Sequence, residues 1–490
     1  MALILSIFLV IGAIGLITQA LIGLSYFISS VWEQEKRAAV FAFLQFLVMT
    51  AMLIAYLYLM KVGFFETKPG LGVLIAGYIA VLLAAFLLLR RTAPNQKALK
   101  GTQGLVTGEV KRHDERAIVF ARNRSLPPGS EQYKAFYELY PQYEDYDSRR
   151  RAMGGPLGNP GTIDRPHEGP NVAATLASQS IPLHLSSPHA FKPQPHPALK
   201  GKRCEMSPEE ATERVKGYAR NRGADLVGIT QVNPLWIYSH RGEIFYENWE
   251  DWGKEIDIKH RYAVVFATEM SFEMVGTGPH SPTMIESMGN YAQGAYIATQ
   301  LAQFIANLRY SATASHLRHY DALMVPLAVD AGLGELGRLG YLVTKELVPR
   351  VRLGAVTTDL PLIPDKPVDI GVEDFCRICK KCAVCCPSNS IPQEKEQGLV
   401  NGLLRWKLND ETCFEYWGKI GTDCNICMRV CPWSHARTFP HKIILKIITR
   451  NKLARRLFSI MDDIFYGKKP KVKAIPKWTQ CSKGKRNYDN

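Results

Sequence analysis

Cys376-Arg-Ile-Cys379-Lys-Lys-Cys382-Ala-Val-Cys-Cys386-Pro387 is the stretch that decides how the rest of this 490-residue chain is read. Two residues separate Cys376 from Cys379 and Cys379 from Cys382, three separate Cys382 from Cys386, and proline follows. In this run three thiolates hold one cubane 4Fe–4S cluster and the fourth crosses to a second. A second ladder follows in Cys413 and then Cys424-Asn-Ile-Cys427-Met-Arg-Val-Cys431-Pro432, its first ligand displaced upstream by an insertion. The crossing rule assigns Cys376, Cys379, Cys382 and Cys431 to one cluster and Cys386, Cys413, Cys424 and Cys427 to the other. Nine of the eleven cysteines fall between 376 and 431, a concentration that core filling does not produce. Two tandem ladders ending in Cys-Pro disfavour zinc, and a cytoplasmic setting, argued next, disfavours a disulfide framework. Cys385, Cys204 and Cys481 are left as structural or inert thiols. Two cubanes held close together form a wire, so a reaction centre is expected at its end.

Hydrophobic residues make up an ordinary 47% of the chain but are unevenly spread. Residues 2–32, 38–60 and 71–89 carry no charged side chain. Each reaches the roughly 20 residues that cross a hydrocarbon core of ~30 Å, which predicts three transmembrane helices. The first lacks the basic lead-in of a cleaved signal peptide, and two further spans follow it. Lys36, Arg37, Arg90, Arg91, Lys97 and Lys100 lie on one side of these spans, against Lys61 and Lys68 on the other. The excess marks the cytoplasmic side and predicts an inner-membrane, multi-pass protein with its large domain in the cytoplasm. Arg90 and Arg91 follow an apolar run instead of preceding one, so they do not form a twin-arginine export signal.

The net charge of +15 comes with no basic stripe interleaved with stacking aromatics, so nucleic acid is not an expected partner. Membrane lipid is: Lys442, Lys446, Arg450, Lys452, Arg455 and Arg456 lie among Ile, Leu and Phe, as in a basic helix against anionic lipid. The equal alternative is an ordinary solvated helix face. Residues 92–203 are rich in Pro, Gly, Asn and His, including Gly154-Gly-Pro-Leu-Gly-Asn-Pro-Gly161, which predicts an extended segment wrapped over a core. Ser207-Pro-Glu-Glu210 opens a helix. Strand-length apolar runs at 224–229, 262–267 and 351–358 alternate with a helical pattern at 289–308. These predict an α/β or α+β core over 204–365. The expected order is a membrane anchor at 1–91, the wrap at 92–203, the core at 204–365, the cysteine module at 366–440 and a basic segment at 441–490.

Further residues resemble the corrinoid-dependent reductive dehalogenases, the family of tetrachloroethene and halophenol reductases. The carriers include Asn233-Pro-Leu-Trp-Ile-Tyr-Ser239, Pro279-His-Ser-Pro282, Val325 to Gly340, Pro349-Arg-Val-Arg-Leu353, Arg405-Trp-Lys407 and the Cys-Pro-Trp433 ending. The resemblance runs from about residue 117 to 478. It implies a nitroreductase-like, cobalamin-binding core with a C-terminal ferredoxin-like module of two 4Fe–4S clusters. It also implies base-off cobalamin, since no Asp-x-His-x-x-Gly occurs to replace the lower ligand. Matching positions gives Tyr291 as proton donor and Arg352 as its cationic partner, a guanidinium that would stabilise the phenolate left after transfer. Tyr296 is the rival donor. His319 falls near a second polar pocket residue of the family. Gly332-Leu-Gly-Glu-Leu-Gly337 matches the dinucleotide fingerprint letter for letter, yet no long helix or acidic strand end follows. In the family such glycines let backbone approach the corrinoid, so Gly332, Gly334 and Gly337 are expected there.

The resemblance implies an oxidoreductase that removes halide from an organohalide, fed by a quinol or a ferredoxin. It departs from the respiratory members in lacking a twin-arginine signal and carrying its own spans. Two other readings are an epoxyqueuosine reductase-like cobalamin enzyme and a membrane-bound iron–sulfur electron carrier with no substrate of its own.

Overall fold

The computed structural model describes residues 2–154, 169–199, 201–244, 249–317 and 319–480. The glycine–proline run beyond Gly154, the last ten residues and with them Cys481 lie outside these ranges. The chain divides into two compact units, one of residues 1–93 with 435–471, the other of 94–434 with 472–490.

The first unit is helical. Ala2–Trp32, Lys36–Lys61 and Lys68–Leu89 form helices of 31, 26 and 22 residues, each long and apolar enough to cross a membrane. Where the first two meet, a Cβ on Gly23 would lie 3.1 Å from the Phe46 amide nitrogen, the close backbone approach that a small residue permits. The basic C-terminal segment folds as two helices of the same unit, Phe439–Ile448 and Lys452–Tyr466, not as one. Asn451 between them serves two ends at once. Its Oδ1 accepts from the Ala454 amide at 2.8 Å, capping the last helix, while Nδ2 donates to the Leu87 and Arg90 carbonyls at 2.8 Å each. Arg455 is buried and donates to the Ile448 carbonyl at 2.8 Å, so it is not one of the lipid-facing cations that the sequence suggested.

The second unit is built on a four-stranded sheet of β1 (Leu226–Gln231), β2 (Tyr262–Glu269), β3 (Ala312–Ser315) and β6 (Val351–Thr358), in the order β1-β2-β6-β3. Every pairing is antiparallel, which settles the expected class as α+β. Both faces of the sheet are largely buried, and successive side chains alternate between them with period two. Val264, Phe266 and Val356 face the helices Pro208–Asn221 and Ser281–Asn307, while Ala263, Val265, Val351 and Ala355 face Trp236 and the helix Met324–Asp330. The Ser207 hydroxyl accepts from the Glu210 amide at 3.2 Å, as its sequence suggested. Between β3 and β6 a short hairpin pairs β4 (Glu335–Leu336) with β5 (Leu342–Val343).

The expectation for 92–203 is corrected: its described part is largely helical, with Glu131–Leu139, Glu144–Ala152 and Gly169–His184 the longest helices. Pro, Gly and Asn mark the ends of these helices more than an absence of them; Ser130, for instance, caps the first through the Tyr133 amide. Polar anchors hold the segment to the core. Asp330 accepts from the Thr102 amide and hydroxyl at 2.7 Å each, and Arg122 pairs with Asp147 at 2.9 Å and Glu411 at 3.1 Å.

The cysteine module begins with the helix Val372–Cys379, followed by Lys381–Val384, Asp410–Ile420 and Ile426–Arg429. Between them β7 (Gly398–Val400) and β8 (Leu403–Arg405) pair across an Asn401-Gly402 turn whose φ values of 49° and 72° suit a two-residue hairpin.

Candidate electron-transfer and proton-donor site

The two ladders use one local construction twice. Lys380, φ 54°, breaks the chain between Cys379 and the short helix bearing Cys382; Asn425, φ 49°, does the same between Cys424 and the short helix bearing Cys427. The left-handed residue turns the backbone so that both thiols of each C-x-x-C converge. Cys382 thereby lies within electrostatic reach of Cys376, Cys431, Cys379 and Cys427, and Cys424 within reach of Cys427, Cys413 and Cys386. One cavity is lined by Cys386, Cys413, Cys424 and Cys427, together with Tyr341 and Tyr416. Cys386, and not its neighbour Cys385, is in that lining.

Burial pushes these thiols up, Cys376 to about 11 and Cys413 and Cys427 to about 12, with neighbouring thiols adding to the effect at Cys413 and Cys427. Four thiols around one cavity, Cys424 buried and the other three partly so, are the donor set that an iron–sulfur cluster takes. The first ladder is set up for the same chemistry: the Arg338 amide donates to Cys376 Sγ at 3.5 Å, and the Ser390 amide donates to Cys386 Sγ at 3.3 Å. Such N–H···S bonds are among the levers that tune cluster potential.

The glycine-rich loop is packed against the chain's own backbone. A Cβ on Gly332 would collide with the Lys366 carbonyl and one on Gly334 with the Val343 carbonyl, so the bare faces of both glycines meet the chain's own backbone. The tight hairpin that results aims Glu335 at the start of the ladder helix, where its carboxyl accepts from the amides of Gly371 at 2.8 Å, Val372 at 3.3 Å and Glu373 at 3.4 Å. Burial pushes Glu335 up to about 7 despite these donors. The loop thus cradles the first ladder from both sides, through Glu335 and Arg338.

The catalytic candidates converge on one face of the sheet. Arg352 shares its side of β6 with Val356, so it points at the helix Ser281–Asn307. On that helix Thr283, Ser287 and Tyr291 stand four residues apart on one stripe. The Arg352 guanidinium lies 5.1 Å from the Tyr291 ring centroid, and Nη2 donates to Ser287 Oγ at 2.9 Å. Tyr296 points away and is 38% exposed, which excludes the rival donor from this group.

The segment carrying Cys424 joins here. Asp423 Oδ2 is 3.8 Å from Arg352, and Asn425 Nδ2 donates to Thr283 Oγ1 and Ser287 Oγ at 3.1 Å each. Burial opposes the Arg352 charge, but Tyr291, Asp423, Tyr341 and Tyr320 together outweigh it and its pKa is raised. Burial likewise lifts Asp423 above the usual carboxylate range, with Arg352 opposing. Arg352 Nε and Asp423 Oδ1 are buried without a hydrogen-bond partner, as in a site built to receive a polar ligand such as a corrinoid.

His319 lies in a neighbouring network. Its ring stacks on Phe191 at 3.5 Å and Nε2 sits 3.2 Å from Asp321, which also binds Arg241. Tyr320 next to it, like Tyr341, is within electrostatic reach of Tyr291 and Arg352. Sequence reasoning missed Ser287, Tyr320, Tyr341, Asp423 and Asn425. The four-residue spacing back from Tyr291 and the polar pair flanking Cys424 were the available signals.

No protein-family profile matches the chain. It is 34% identical over 282 residues to the tetrachloroethene reductive dehalogenase of Desulfitobacterium hafniense, covering 48% of this chain and 50% of the relative. It is 32% identical over 300 residues to that of Sulfurospirillum multivorans, covering 55% and 59%. A solved reductive dehalogenase, from work on B12-dependent dehalogenation, superposes with a TM-score of 0.58 at 26% identity, over 78% of this chain and 49% of that one. The chain spans about half the length of these curated relatives. In sequence and in fold the chain is similar to reductive dehalogenases.

Proposed function

We propose that this chain is a membrane-anchored, cobalamin-dependent reductive dehalogenase that replaces the halogen of an organohalide by hydrogen. The overall change takes two electrons and one proton and releases halide. The clusters would be held by Cys376, Cys379, Cys382 and Cys431, and by Cys386, Cys413, Cys424 and Cys427. A bound corrinoid would supply the low-potential chemistry that breaks the carbon–halogen bond. Tyr291 Oη gives the proton to the carbon, and the Arg352 guanidinium holds the phenolate that is left until a proton returns. Ser287 and Asp423 fix the direction of that guanidinium. Three apolar helices fit a membrane anchor, and the Lys and Arg excess favours a cytoplasmic catalytic unit with a quinol or a ferredoxin as donor.

The observation that carries this reading is the run Asp423-Cys424-Asn425: its central thiol lines the second cluster cavity while its flanking side chains bond the Arg352–Ser287 group. Electron delivery and proton delivery therefore share three consecutive residues. Anaerobic purification should yield about eight iron atoms and one cobalt per chain, with release of halide from brominated or chlorinated phenols or alkenes. Iron without cobalt would leave the electron-carrier reading instead. A match of 34% identity over 123 residues to the epoxyqueuosine reductase of Cyclobacterium marinum favours the second enzyme reading, but covers only 24% of this chain. Turnover of an epoxyqueuosine tRNA with no halide release would select it.

A further inference from the structure

Far along the chain from the proton donor, the helical unit contains a buried cluster that the dehalogenase reading does not use. Glu33 follows directly on the first membrane helix and is buried. His435 comes just after the turn Pro432–Ser434, and His441 lies in the helix Phe439–Ile448. One donor atom from each of the three lies within 4.8 Å of the others. His441 Nδ1 is 3.3 Å from Glu33 Oε1, and the two imidazole rings stack at 4.8 Å with 16° between their planes. A carboxylate at full burial beside an apolar span is costly unless it is matched to a function or a counter-charge.

We propose that Glu33, His435 and His441 form a binding site for one divalent transition-metal ion of the zinc class. Two imidazoles and one carboxylate are the donor set such an ion takes, whereas calcium and magnesium favour all-oxygen sites. With bonds of about 2.0–2.1 Å, tetrahedral donors stand roughly 3.4 Å apart, close to the separation already seen between His441 and Glu33. Closing from 4.8 Å needs a side-chain adjustment of about an ångström. The Thr438 hydroxyl, 2.7 Å from His441 Nδ1, turns aside when the ion enters.

The second observation is the outer ring of hydrogen bonds. His441 Nε2 meets Tyr466 Oη at 2.9 Å, Tyr466 Oη in turn accepts from Tyr26 Oη at 2.9 Å, and His435 Nε2 meets Asp462 at 2.6 Å. Carboxylate and phenol partners behind ligating histidines are what fix ring orientation and tautomer at metal sites. Asp462 and Tyr466 stand one helical turn apart on Lys452–Tyr466, so a single helix supports both rings. The ion would clip the end of the first membrane helix to the C-terminal helix pair.

The test uses the full-length, cofactor-loaded protein in detergent, washed with EDTA and titrated calorimetrically with Zn2+ alone. The expected result is one zinc bound per chain beyond its iron and cobalt, with a rise in thermal midpoint. Glu33→Gln and His441→Gln should lose that zinc while keeping iron and cobalt unchanged. His441→Cys, which retains a ligand, should keep the zinc and gain affinity for Cd2+, and so separates a lost ligand from a damaged fold. A parent chain that binds no zinc, or zinc binding that survives His441→Gln, overturns the proposal and leaves a hydrogen-bonded cluster only. Halide release is not read in any arm, so the outcome is independent of the proposed activity.

Discussion

Tyr291 and Arg352 are 61 residues apart in sequence and are brought together by two periodicities, the four-residue stripe of a helix and the two-residue alternation of a strand. Phe at 291 keeps the ring under the guanidinium and deletes only the proton. Tyr291→Phe is therefore expected to lower turnover by about 10²–10⁴-fold with iron and corrinoid content unchanged; parental halide release at full cofactor loading would assign the proton to another group. Arg352→Lys keeps charge without the planar fork and should be milder than Arg352→Met. A second residue-scale prediction concerns Glu115, buried beside Arg241, which Asp321 holds from the other side. With one guanidinium between two acids, burial dominates at Glu115 and pushes its carboxyl from 4.5 up to about 8. The folded state then binds this proton more tightly than the unfolded one. Its contribution is whole below about pH 4.5 and is lost as pH rises through 8. Denaturant midpoints of the parent should fall across that window, and Glu115→Gln should flatten the fall; identical slopes for both proteins would place the charge change elsewhere.

At the scale of elements, the cysteine ladders were legible because ligand spacing is chemistry written directly into sequence. β6 was legible to the residue, and the three long helices nearly so, because single apolar runs set their limits. The segment 92–203 was misread because its Pro, Gly and Asn content masked its helices, which are held by the buried Leu126, Phe136 and Tyr137 as well as by the polar pairs Arg122–Asp147 and Thr102–Asp330. For the glycine loop, spacing alone does not say which backbone a bare Cα will meet; Gly332 meets that of Lys366 and Gly334 that of Val343. Ser287 and Asn425 could not be assigned a role before the helix and the ladder were seen in contact. The crossing of ladders gives a sharp expectation. Cys386→Ala, although in the first run, should remove the cluster shared with Cys413, Cys424 and Cys427 and leave the other, read as iron falling by about half with one electron-spin-resonance signal kept. Loss of the signal belonging to Cys376, Cys379 and Cys382 would reverse the assignment.

At the scale of the molecule, the Lys and Arg excess beside the spans predicts that an alkaline phosphatase fused after Asn490 is inactive and a fluorescent protein there is bright; an active phosphatase would put the catalytic unit outside. The division of the chain carries a further consequence for anyone who handles the protein. The helical unit is assembled from two separated stretches, 1–93 and 435–471, so the chain passes between the units at three places instead of one. A single protease cut near residue 94 leaves the second unit covalently joined to 435–471, which packs with 1–93, and the membrane pellet should retain it. Deleting residues 1–93 is not equivalent to freeing a soluble enzyme either. It strips Phe439–Ile448 and Lys452–Tyr466 of the helices they fold with, and leaves Asn451 without the Leu87 and Arg90 carbonyls it caps. Such a truncated chain should aggregate or bind detergent, whereas one that also lacks 435–471, with its two ends rejoined by a short linker, is the version expected to stay in solution.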